Sequence, residues 1–298
     1  MEKRVLGNTG MEVSILGFGG AEIGFEEARE NTVDELLNEA IDAGLNVIDT
    51  AECYLGSESL IGNTVSGRRK DFFLFTKCGH GYDPTIPAWT KPEIESSIDR
   101  SLKRLKTDYV DLLQLHSCSE EILRQGDVIE ALQEAKKKGK TRFIGYSGDG
   151  TDALYAIETG VFDTLQTSVN VADQECLELT IPKAVARGMG VIAKRPIANA
   201  VWRYRSTPDN SYHQPYWERL QDLDYGFVNG DMTMAVGTSL RFTLSVPGVH
   251  TAIVGTKKPG RWRENARMLA TGLLSEKDFD AIRIRWKEVA KADWVGQV

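Results

Sequence analysis

Short apolar runs alternate along the chain with stretches in which apolar residues recur every three or four positions. Eight of the runs have the length of a β-strand and cover residues 13–18, 46–49, 72–76, 110–116, 142–146, 164–170, 191–194 and 251–255. Between them, the helical period predicts helices over residues 30–44, 91–108, 126–140, 182–190 and 261–272. Because the strands are continuously apolar rather than alternating, they are typical of a parallel sheet that is covered on both faces.

Eight strand and helix units in this order predict an α/β fold, a (β/α)8 TIM barrel, for which 298 residues is a suitable length. A doubly wound sheet is the alternative, but residues 17–24 (GFGGAEIG) lack the glycine spacing of its dinucleotide-binding fingerprint. Three additions are expected outside the repeat: an N-terminal β-hairpin over residues 4–16, a long aromatic loop after strand 7 over residues 199–230, and an extra C-terminal helix over residues 276–292. We expect residues 1–298 to form a single domain.

The charge and cysteine content narrow the class of protein. A net charge of −7 argues against nucleic acid or an anionic membrane as the main partner. The four cysteines show no CxxC spacing, which favours reduced thiols in a cytosol over a disulfide framework. No stretch approaches the ~20 apolar residues of a membrane span. We therefore expect a soluble, cytoplasmic protein, and the sequence leaves its oligomeric state open.

Ionisable residues end three successive strands of the predicted barrel. The apolar runs end at Asp49, Lys77 and His116, and Tyr54 follows in the loop after the first of them. The carboxyl ends of barrel strands share one face, which carries the catalytic residues of such enzymes. Single polar residues at strand ends are usually caps or solvated turns, but three in succession favour an active site.

These four residue types together make a tuned proton donor. A tyrosine has a reference pKa near 10, and an adjacent ammonium, here Lys77, is expected to lower the pKa of Tyr54. Asp49 is expected to keep Lys77 charged and oriented, because a buried lysine without a partner tends to lose its proton. A neutral His116 can donate a hydrogen bond that positions a substrate oxygen.

Several segments resemble the aldo-keto reductase family. The resemblance lies in DTAECY (49–54) with the following GSE, in FTKCG (75–79) and in LLQLHS (112–117). It implies a (β/α)8 reductase that uses NADP(H) to reduce a small-molecule carbonyl substrate, an aldehyde or ketone. It also implies that Tyr54, Lys77, Asp49 and His116 are the catalytic residues, with Tyr54 protonating the carbonyl oxygen.

A basic segment follows the eighth strand, where barrels often bind phosphate. Residues 255–265 carry four cations at the start of a helix, a position that the helix dipole disfavours for cations, so an anionic ligand explains them better than a solvated patch. Arg261 suits a 2′-phosphate because its fork binds bidentately, which favours NADP over NAD. By the family resemblance, the cofactor contacts here are Gly255, Thr256, Lys257, Arg261, Glu264 and Asn265.

The expected nicotinamide site departs from the family pattern. Ser147 and Gln166 resemble the pair that binds the carboxamide, but Gly148 stands where the family usually has asparagine. Lys194 replaces the aromatic residue that often stacks on the ring, and Arg195 is the alternative for that role. In the loop over residues 199–230, we expect Trp202 and Tyr204 to contact the substrate, although the aromatic side chains could equally fold the loop back on the barrel.

Two other functions stay open at the level of sequence. A Schiff-base aldolase could use Lys77 or Lys194 as its amine. A nucleotide-binding regulatory subunit with little turnover would retain the cofactor site and tolerate the altered nicotinamide pocket.

No metal site is expected, since the histidines show no ligand spacing with cysteine or acid, and Cys53 is interpreted as a packing residue. The physiological carbonyl and the direction of reaction are not determined.

Overall fold

Eight parallel strands close into a barrel in the computed structural model of the chain, which describes residues 1–81 and 85–297. Going around the barrel, neighbouring strands are also consecutive in the sequence, and the last strand pairs with both its predecessor and the first. The strands are β1 (Lys3–Val5), β2 (Glu12–Ser14), β3 (Leu16–Gly19), β4 (Val47–Asp49), β5 (Phe73–Cys78), β6 (Val110–His116), β7 (Thr141–Ser147), β8 (Thr164–Ser168), β9 (Gly190–Lys194) and β10 (Val249–Gly255). The barrel consists of β3–β10, which confirms the predicted fold class.

Helices connect the strands and cover the barrel. They are α1 (Ala21–Phe25), α2 (Glu30–Asp42), α3 (Ser57–Val65), α4 (Lys91–Leu105), α5 (Glu120–Gln125), α6 (Asp127–Lys137), α7 (Gly150–Thr159), α8 (Cys176–Leu179), α9 (Ile181–Ala186), α10 (Gln214–Leu223), α11 (Met232–Ser245), α12 (Arg261–Met268) and α13 (Glu276–Val289). In α2, the residues of the apolar stripe, Val33, Leu36, Leu37 and Ile41, are all buried, as their spacing predicts. Among the helices described, none is long and apolar enough to cross a membrane.

Several predicted boundaries are wrong; for example, the helix predicted over residues 182–190 ends at Ala186, and the helix predicted over residues 276–292 ends at Val289. Two further errors have a clear physical reason. The run over residues 13–18 is not one strand, because its first residues pair antiparallel with β1 in a hairpin while Leu16–Gly19 pair with β10 and β4 in the barrel. The chain leaves the hairpin at Ile15, whose backbone N–H donates to the Glu2 carbonyl. The helix predicted over residues 91–108 ends at Leu105, because Lys106 adopts a left-handed conformation with φ of 53°.

The N-terminal hairpin closes the lower end of the barrel. Its side chains Leu6, Met11 and Val13 are fully buried against inward-facing residues of five barrel strands, namely Val47, Phe75, Leu112, Ile192 and Ile253. The turn comes very close to β9: Asn8 N–H donates to the Gly188 carbonyl at 2.8 Å, and a Cβ on Gly7 would overlap the backbone of Gly190. The lower half of the barrel is therefore a closed apolar core.

Polar residues replace apolar ones on the inner face toward the upper end. Side chains on a strand alternate between faces, so the residue two positions beyond each apolar inward residue also points inward. On the same five strands, those residues are Asp49, Lys77, Gln114, Lys194 and Gly255. The change from an apolar to a polar layer is what places ionisable groups at the carboxyl ends of the strands.

The aromatic connection over residues 199–230 is partly helical, contrary to its prediction as a loop. It contains α10, whose Tyr216 is fully buried and donates a hydrogen bond to Asp173 Oδ2 at 2.6 Å. Arg219 on the same helix donates to the Val295 carbonyl at 2.7 Å. This half of the connection therefore folds back on the barrel.

Candidate active site

A buried ion pair lies at the centre of the upper face. Lys77 Nζ donates to Asp49 Oδ2 at 2.5 Å and to the Thr50 carbonyl at 2.9 Å. The other carboxylate oxygen of Asp49 accepts from Gln166 Nε2 at 2.9 Å and from Gln114 Nε2 at 3.3 Å. Burial alone would lower the pKa of Lys77, but the Asp49 carboxylate outweighs it and the pKa is raised. The lysine is therefore held as an ammonium ion.

The loop after β4 carries Tyr54 over this pair. Its backbone continues along β5, with Thr50 N–H donating to the Phe75 carbonyl at 2.9 Å and Glu52 N–H to the Lys77 carbonyl at 3.1 Å. The carboxylate of Glu52 fixes the loop to α4 by accepting from Arg100 Nε at 2.5 Å. As a result, Lys77 Nζ lies 5.0 Å from the centroid of the Tyr54 ring.

The acidity of Tyr54 differs from the expectation. The ring packs between Phe25 and His116, at centroid distances of 5.5 and 5.6 Å. Burial raises the pKa of Tyr54 to about 12, although the Lys77 ammonium acts to lower it. The prediction that Lys77 brings the pKa of Tyr54 below its ordinary value is therefore wrong for the net shift, because desolvation is the larger effect and the neighbouring Asp49 charge opposes that of Lys77.

His116 is a neutral imidazole beside Tyr54. Burial, followed by the charge of Lys77, holds the pKa of His116 well below its usual value. Its Nδ1 lies 3.3 Å from Cys53 Sγ, and the His80 ring stands edge-on to it at a centroid distance of 4.7 Å. A neutral imidazole carries one N–H, so His116 can donate a single hydrogen bond to a ligand.

The predicted nicotinamide pair is continuous with the ion pair. Ser147 Oγ donates to Gln166 Oε1 at 3.0 Å, and the amide nitrogen of Gln166 contacts Asp49. The departure at Gly148 has a physical reason, since a Cβ there would lie 2.6–2.7 Å from atoms of the Tyr146 side chain. Tyr146 cannot easily move away, because it is fully buried and its hydroxyl donates to the Cys118 carbonyl at 2.6 Å.

A second buried carboxylate, missed by the sequence analysis, fixes Lys194 and Arg195. Asp149 Oδ2 lies 2.8 Å from Lys194 Nζ and 3.8 Å from Arg195 Nη1. Arg195 also donates to Ser168 Oγ at 2.7 Å and to Tyr212 Oη at 2.5 Å. Burial lowers the pKa of Lys194 to about 8, with the Asp149 carboxylate opposing the shift. Lys194 is thus held by its ion pair with Asp149, and Arg195 is held by hydrogen bonds, so neither side chain is free to stack on a ring without breaking these contacts.

The basic segment is more neutralised than its sequence suggests. Lys257 pairs with Glu26 at 2.8 Å, Arg263 with Glu39 at 2.7 Å, and Arg261 with Glu264 at 3.0 Å. Among the residues that the structure describes, Lys258 has no ion pair. The helix α12 begins at Arg261 as expected, Asn265 is buried within it, and Thr256 Oγ1 accepts from Lys258 N–H at 3.1 Å.

Polar atoms without partners lie in the segment after β9 and close to it. In the described parts of the chain, the buried amide nitrogen of Asn199 and the buried Oε1 of Gln297 have no hydrogen-bond partner, and the Gln297 carbonyl accepts from Arg195 at 2.8 Å. Asn199 belongs to a strained turn in which Arg195, Ala198, Asn199 and Ala200 all have positive φ. Strain and unsatisfied polar groups of this kind concentrate at ligand sites.

A family model described as "Aldo/keto reductase family" matches residues 15–287. The chain belongs to the aldo/keto reductase family. The "Uncharacterized oxidoreductase YqkF" of Bacillus subtilis (strain 168) is 29% identical over 305 residues, covering 97% of both proteins. The "L-galactose dehydrogenase" of Arabidopsis thaliana is 30% identical over 283 residues, covering 89% of this chain and 87% of the relative.

Solved structures support the same assignment. The holo form of the aldo-keto reductase AKR11C1 from Bacillus halodurans superimposes with a TM-score of 0.84 at 25% identity, covering 99% of each chain. This chain is accordingly an oxidoreductase of the aldo/keto reductase family. Family membership argues against the Schiff-base aldolase, and the charged state of Lys77 argues against this lysine as its amine, whereas the lowered pKa of Lys194 does not argue against Lys194.

In this aldo/keto reductase, Trp202 and Tyr204, the two residues expected to contact the substrate, contact α11 and the aromatic connection. Trp202 Nε1 donates to Met232 Sδ at 3.1 Å, and Tyr204 Oη lies 3.1 Å from His213 Nδ1. Both side chains are half-buried, and neither contact involves Tyr54, Lys77, Asp49 or His116. Their role in substrate binding stays a prediction.

Another aromatic residue, Trp89, lies close to His116 through His80. Its ring is 5.7 Å from that of His80, which in turn contacts His116. The approach depends on Gly79, which has φ of +120° and on which a Cβ would overlap the Trp89 ring. The sequence carried a signal for this contact, because Gly79 and His80 follow directly after the strand that ends near Lys77.

Proposed function

We propose that this chain, as a single barrel domain, is a cytoplasmic NADP(H)-dependent oxidoreductase that reduces an aldehyde or ketone to an alcohol. The observation that carries the proposal is the buried ion pair of Lys77 and Asp49 directly below Tyr54, with neutral His116 beside it. Together they supply a proton donor, a group that stabilises its conjugate base and a hydrogen-bond donor for the substrate oxygen.

Tyr54 acts as the general acid. With a pKa of about 12, its hydroxyl is protonated throughout the physiological range and is ready to donate as negative charge develops on the carbonyl oxygen. Lys77 stabilises the phenolate that results, because its ammonium lies on the buried side of the ring. Asp49 keeps that ammonium charged and in place, and so acts as a positioning residue.

His116 orients the carbonyl. Its Nδ1 faces the sulfur of Cys53, which leaves Nε2 as the nitrogen available to a substrate oxygen. Because the imidazole is neutral, it can donate a hydrogen bond without bringing a second proton source into competition with Tyr54. Geometry of this kind holds the carbonyl oxygen between two donors.

Members of this family typically use NAD(P)H, and the residues present fit such a cofactor. When bound, the nucleotide supplies the hydride that reduces the carbonyl carbon. Ser147 and Gln166 offer one hydroxyl and one amide to the carboxamide, and the buried amide nitrogen of Asn199, which has no hydrogen-bond partner among the described residues, is a further proposed donor to the cofactor. Lys194 and Arg195, anchored by Asp149, line this side of the pocket.

The basic segment supports NADP over NAD. Among the described residues, Arg261 pairs with exposed Glu264 alone, so its guanidinium can turn to a 2′-phosphate at small cost, and Lys257, Thr256 and Gly255 are the further proposed contacts. A Cβ on Gly255 would displace the carboxylate of Glu22, which lies at the end of a flexible side chain. Asn265 and Glu264 are the proposed contacts to the nucleotide on α12.

A sugar is the first substrate class to test. The name of one relative, L-galactose dehydrogenase, indicates oxidation of an aldose by that protein. Aldoses should therefore be assayed with NADP+ beside simple aldehydes and ketones with NADPH.

The experiment is a titration of NADPH and NADH into wild type, Arg261→Ala and Arg263→Ala, followed by tryptophan quenching. We expect submicromolar binding of NADPH and much weaker binding of NADH. Arg261→Ala should weaken NADPH binding at least about tenfold, as expected for a lost charge-assisted contact, and leave NADH unchanged. Arg263→Ala removes the same charge from α12, but Arg263 pairs with Glu39, so this variant should have little effect on NADPH binding. Equal losses in both variants would contradict the assignment of the 2′-phosphate to Arg261.

Measurements of nucleotide binding and of turnover together distinguish the reductase from a nucleotide-binding regulatory subunit. NADPH that binds tightly but is not oxidised with any aldehyde, ketone or aldose would support a nucleotide-binding regulatory subunit. No binding of either nucleotide would contradict both readings.

A further inference from the structure

Three potential metal ligands meet at the mouth of the barrel. Cys53, His80 and His116 come from the ends of three successive strands, and their ligand atoms all lie within 4.8 Å of one another. Linear spacing in the sequence did not predict this cluster, because Cys53 lies in the loop after β4, His80 lies in the loop after β5, and His116 ends β6. The expectation of no metal site did not take such a convergence into account.

The distances suit a zinc-class cation. Zinc binds sulfur at about 2.3 Å and imidazole nitrogen at about 2.0–2.1 Å, so two such ligands of a tetrahedral site lie about 3.5 Å apart. Cys53 Sγ lies 3.3 Å from His116 Nδ1, which is close to that separation. His80 is exposed, so its ring can turn toward the other two ligands without disturbing a packed core.

The ligand types suit a zinc-class cation, because imidazole nitrogen and thiolate sulfur are its usual protein ligands. The thiol of Cys53 must release a proton to solvent when the metal–sulfur bond forms. The thiolate formed supplies negative charge to the site, and the nearby charge of Lys77 is already balanced by Asp49.

We propose that Cys53, His80 and His116 form a three-ligand site for a divalent cation of the zinc class, with the fourth position open to water. Coordination through Nδ1 leaves the Nε2–H of His116 in place, so inhibition is expected from the cation and its bound water, which would lie beside Tyr54 and His116 where the carbonyl binds. The inhibition rests on the proposed position of the carbonyl, whereas metal binding itself does not.

Cobalt(II) is the probe for binding, because a cobalt–thiolate bond gives a charge-transfer absorption in the near ultraviolet. We expect one equivalent of Co²⁺ to produce this band in the wild type, and Zn²⁺ to displace it. Cys53→Ser should abolish the band, whereas Cys118→Ser, which changes a buried cysteine elsewhere, should retain it. No band in the wild type, or an unchanged band in Cys53→Ser, would overturn the proposal.

His80→Asn provides a second variant that does not depend on the folding of Cys53→Ser. Because His80 is exposed, this change should leave the fold intact and weaken Co²⁺ binding at least about tenfold. His213→Asn is the matched control, since His213 contacts Tyr204 in the aromatic connection instead. Unchanged Co²⁺ affinity in His80→Asn would overturn the three-ligand site.

Activity tests the inhibition separately. Zn²⁺ should inhibit carbonyl reduction reversibly, with recovery on addition of a chelator, and half-inhibition should need at least ten times more Zn²⁺ in His80→Asn than in the wild type. Equal zinc sensitivity in the two proteins would overturn the inhibitory role. If the chain lacks reductase activity, the cobalt spectra still decide whether the site exists.

Discussion

Lys77 Nζ lies 2.5 Å from Asp49 Oδ2, and both side chains are only 1% exposed. Withdrawing two charges from water is expensive, so a buried pair of this kind often contributes little net stability compared with apolar residues of the same volume. Removing one partner is a different matter, because it leaves the other charge buried and unpaired. The position of the pair below Tyr54 gives it a functional reason to persist.

The stability of this pair can be tested with a double-mutant cycle of Lys77→Met and Asp49→Asn. Each single change should lower the free energy of unfolding by about 3–5 kcal/mol, because it strands a buried partner. The double variant should lose much less than the sum, with a coupling energy of at least about 2 kcal/mol, since the two side chains are in direct contact. Urea unfolding measures all three; additive losses would rule out the coupling.

A comparison of two glycines tests how the hairpin closes the barrel. Gly7 and Gly10 both have positive φ, at +50° and +72°, but a Cβ overlaps the backbone of β9 only at Gly7. Gly10→Ala should cost about 1 kcal/mol of stability from backbone strain alone, and Gly7→Ala at least about 2 kcal/mol more because the turn must move away from Gly190. Similar unfolding midpoints for the two variants would show that the close contact is unimportant.

Asp173 predicts a pH dependence of stability. Burial, and then the charge of Asp149, raises the pKa of Asp173 to about 7 in the folded state, despite the hydrogen bond from Tyr216 and the nearby Arg219. In the unfolded chain its pKa is about 3.9. Between these values the folded state binds more protons, so this carboxyl reduces stability progressively as pH rises from about 4 to 7, and the full penalty applies above 7.

The variant Asp173→Asn lacks that titration. Relative to the wild type, it should gain about 2.6 kcal/mol of stability as pH rises from 5 to 8. Chemical denaturation at several pH values measures the difference, with exposed Asp209→Asn as the control. A difference between Asp173→Asn and the wild type that does not change with pH would refute the raised pKa.

The barrel and its catalytic face were predictable because they depend on local patterns. Strand-length apolar runs gave the eight strands, and the order of the strands in the barrel follows the order in the sequence. Asp49, Lys77 and His116 could be assigned to one face because each lies at a carboxyl strand end. The helix α10 was missed because its apolar residues lie within an aromatic segment that has no clean period.

Interactions between distant parts of the chain could not be predicted in the same way. Asp149 meets Lys194 only because β7, β8 and β9 are neighbours in the barrel, and nothing in either local sequence indicates the pair. The raised pKa of Tyr54 depends on how far its ring is desolvated by Phe25 and His116. The ligands Cys53, His80 and His116 likewise converge only in three dimensions.

The most direct test of the central claim is single-turnover reduction of a carbonyl substrate by NADPH-loaded enzyme, comparing the wild type with Tyr54→Phe and with Tyr155→Phe on α7 as the control. If Tyr54 is the general acid, Tyr54→Phe should slow the reduction by about 10²–10⁴-fold while the affinity for NADPH stays within about twofold of the wild type. Tyr155→Phe should react at the wild-type rate. A Tyr54→Phe enzyme that reduces the substrate within a few-fold of the wild-type rate would contradict the account.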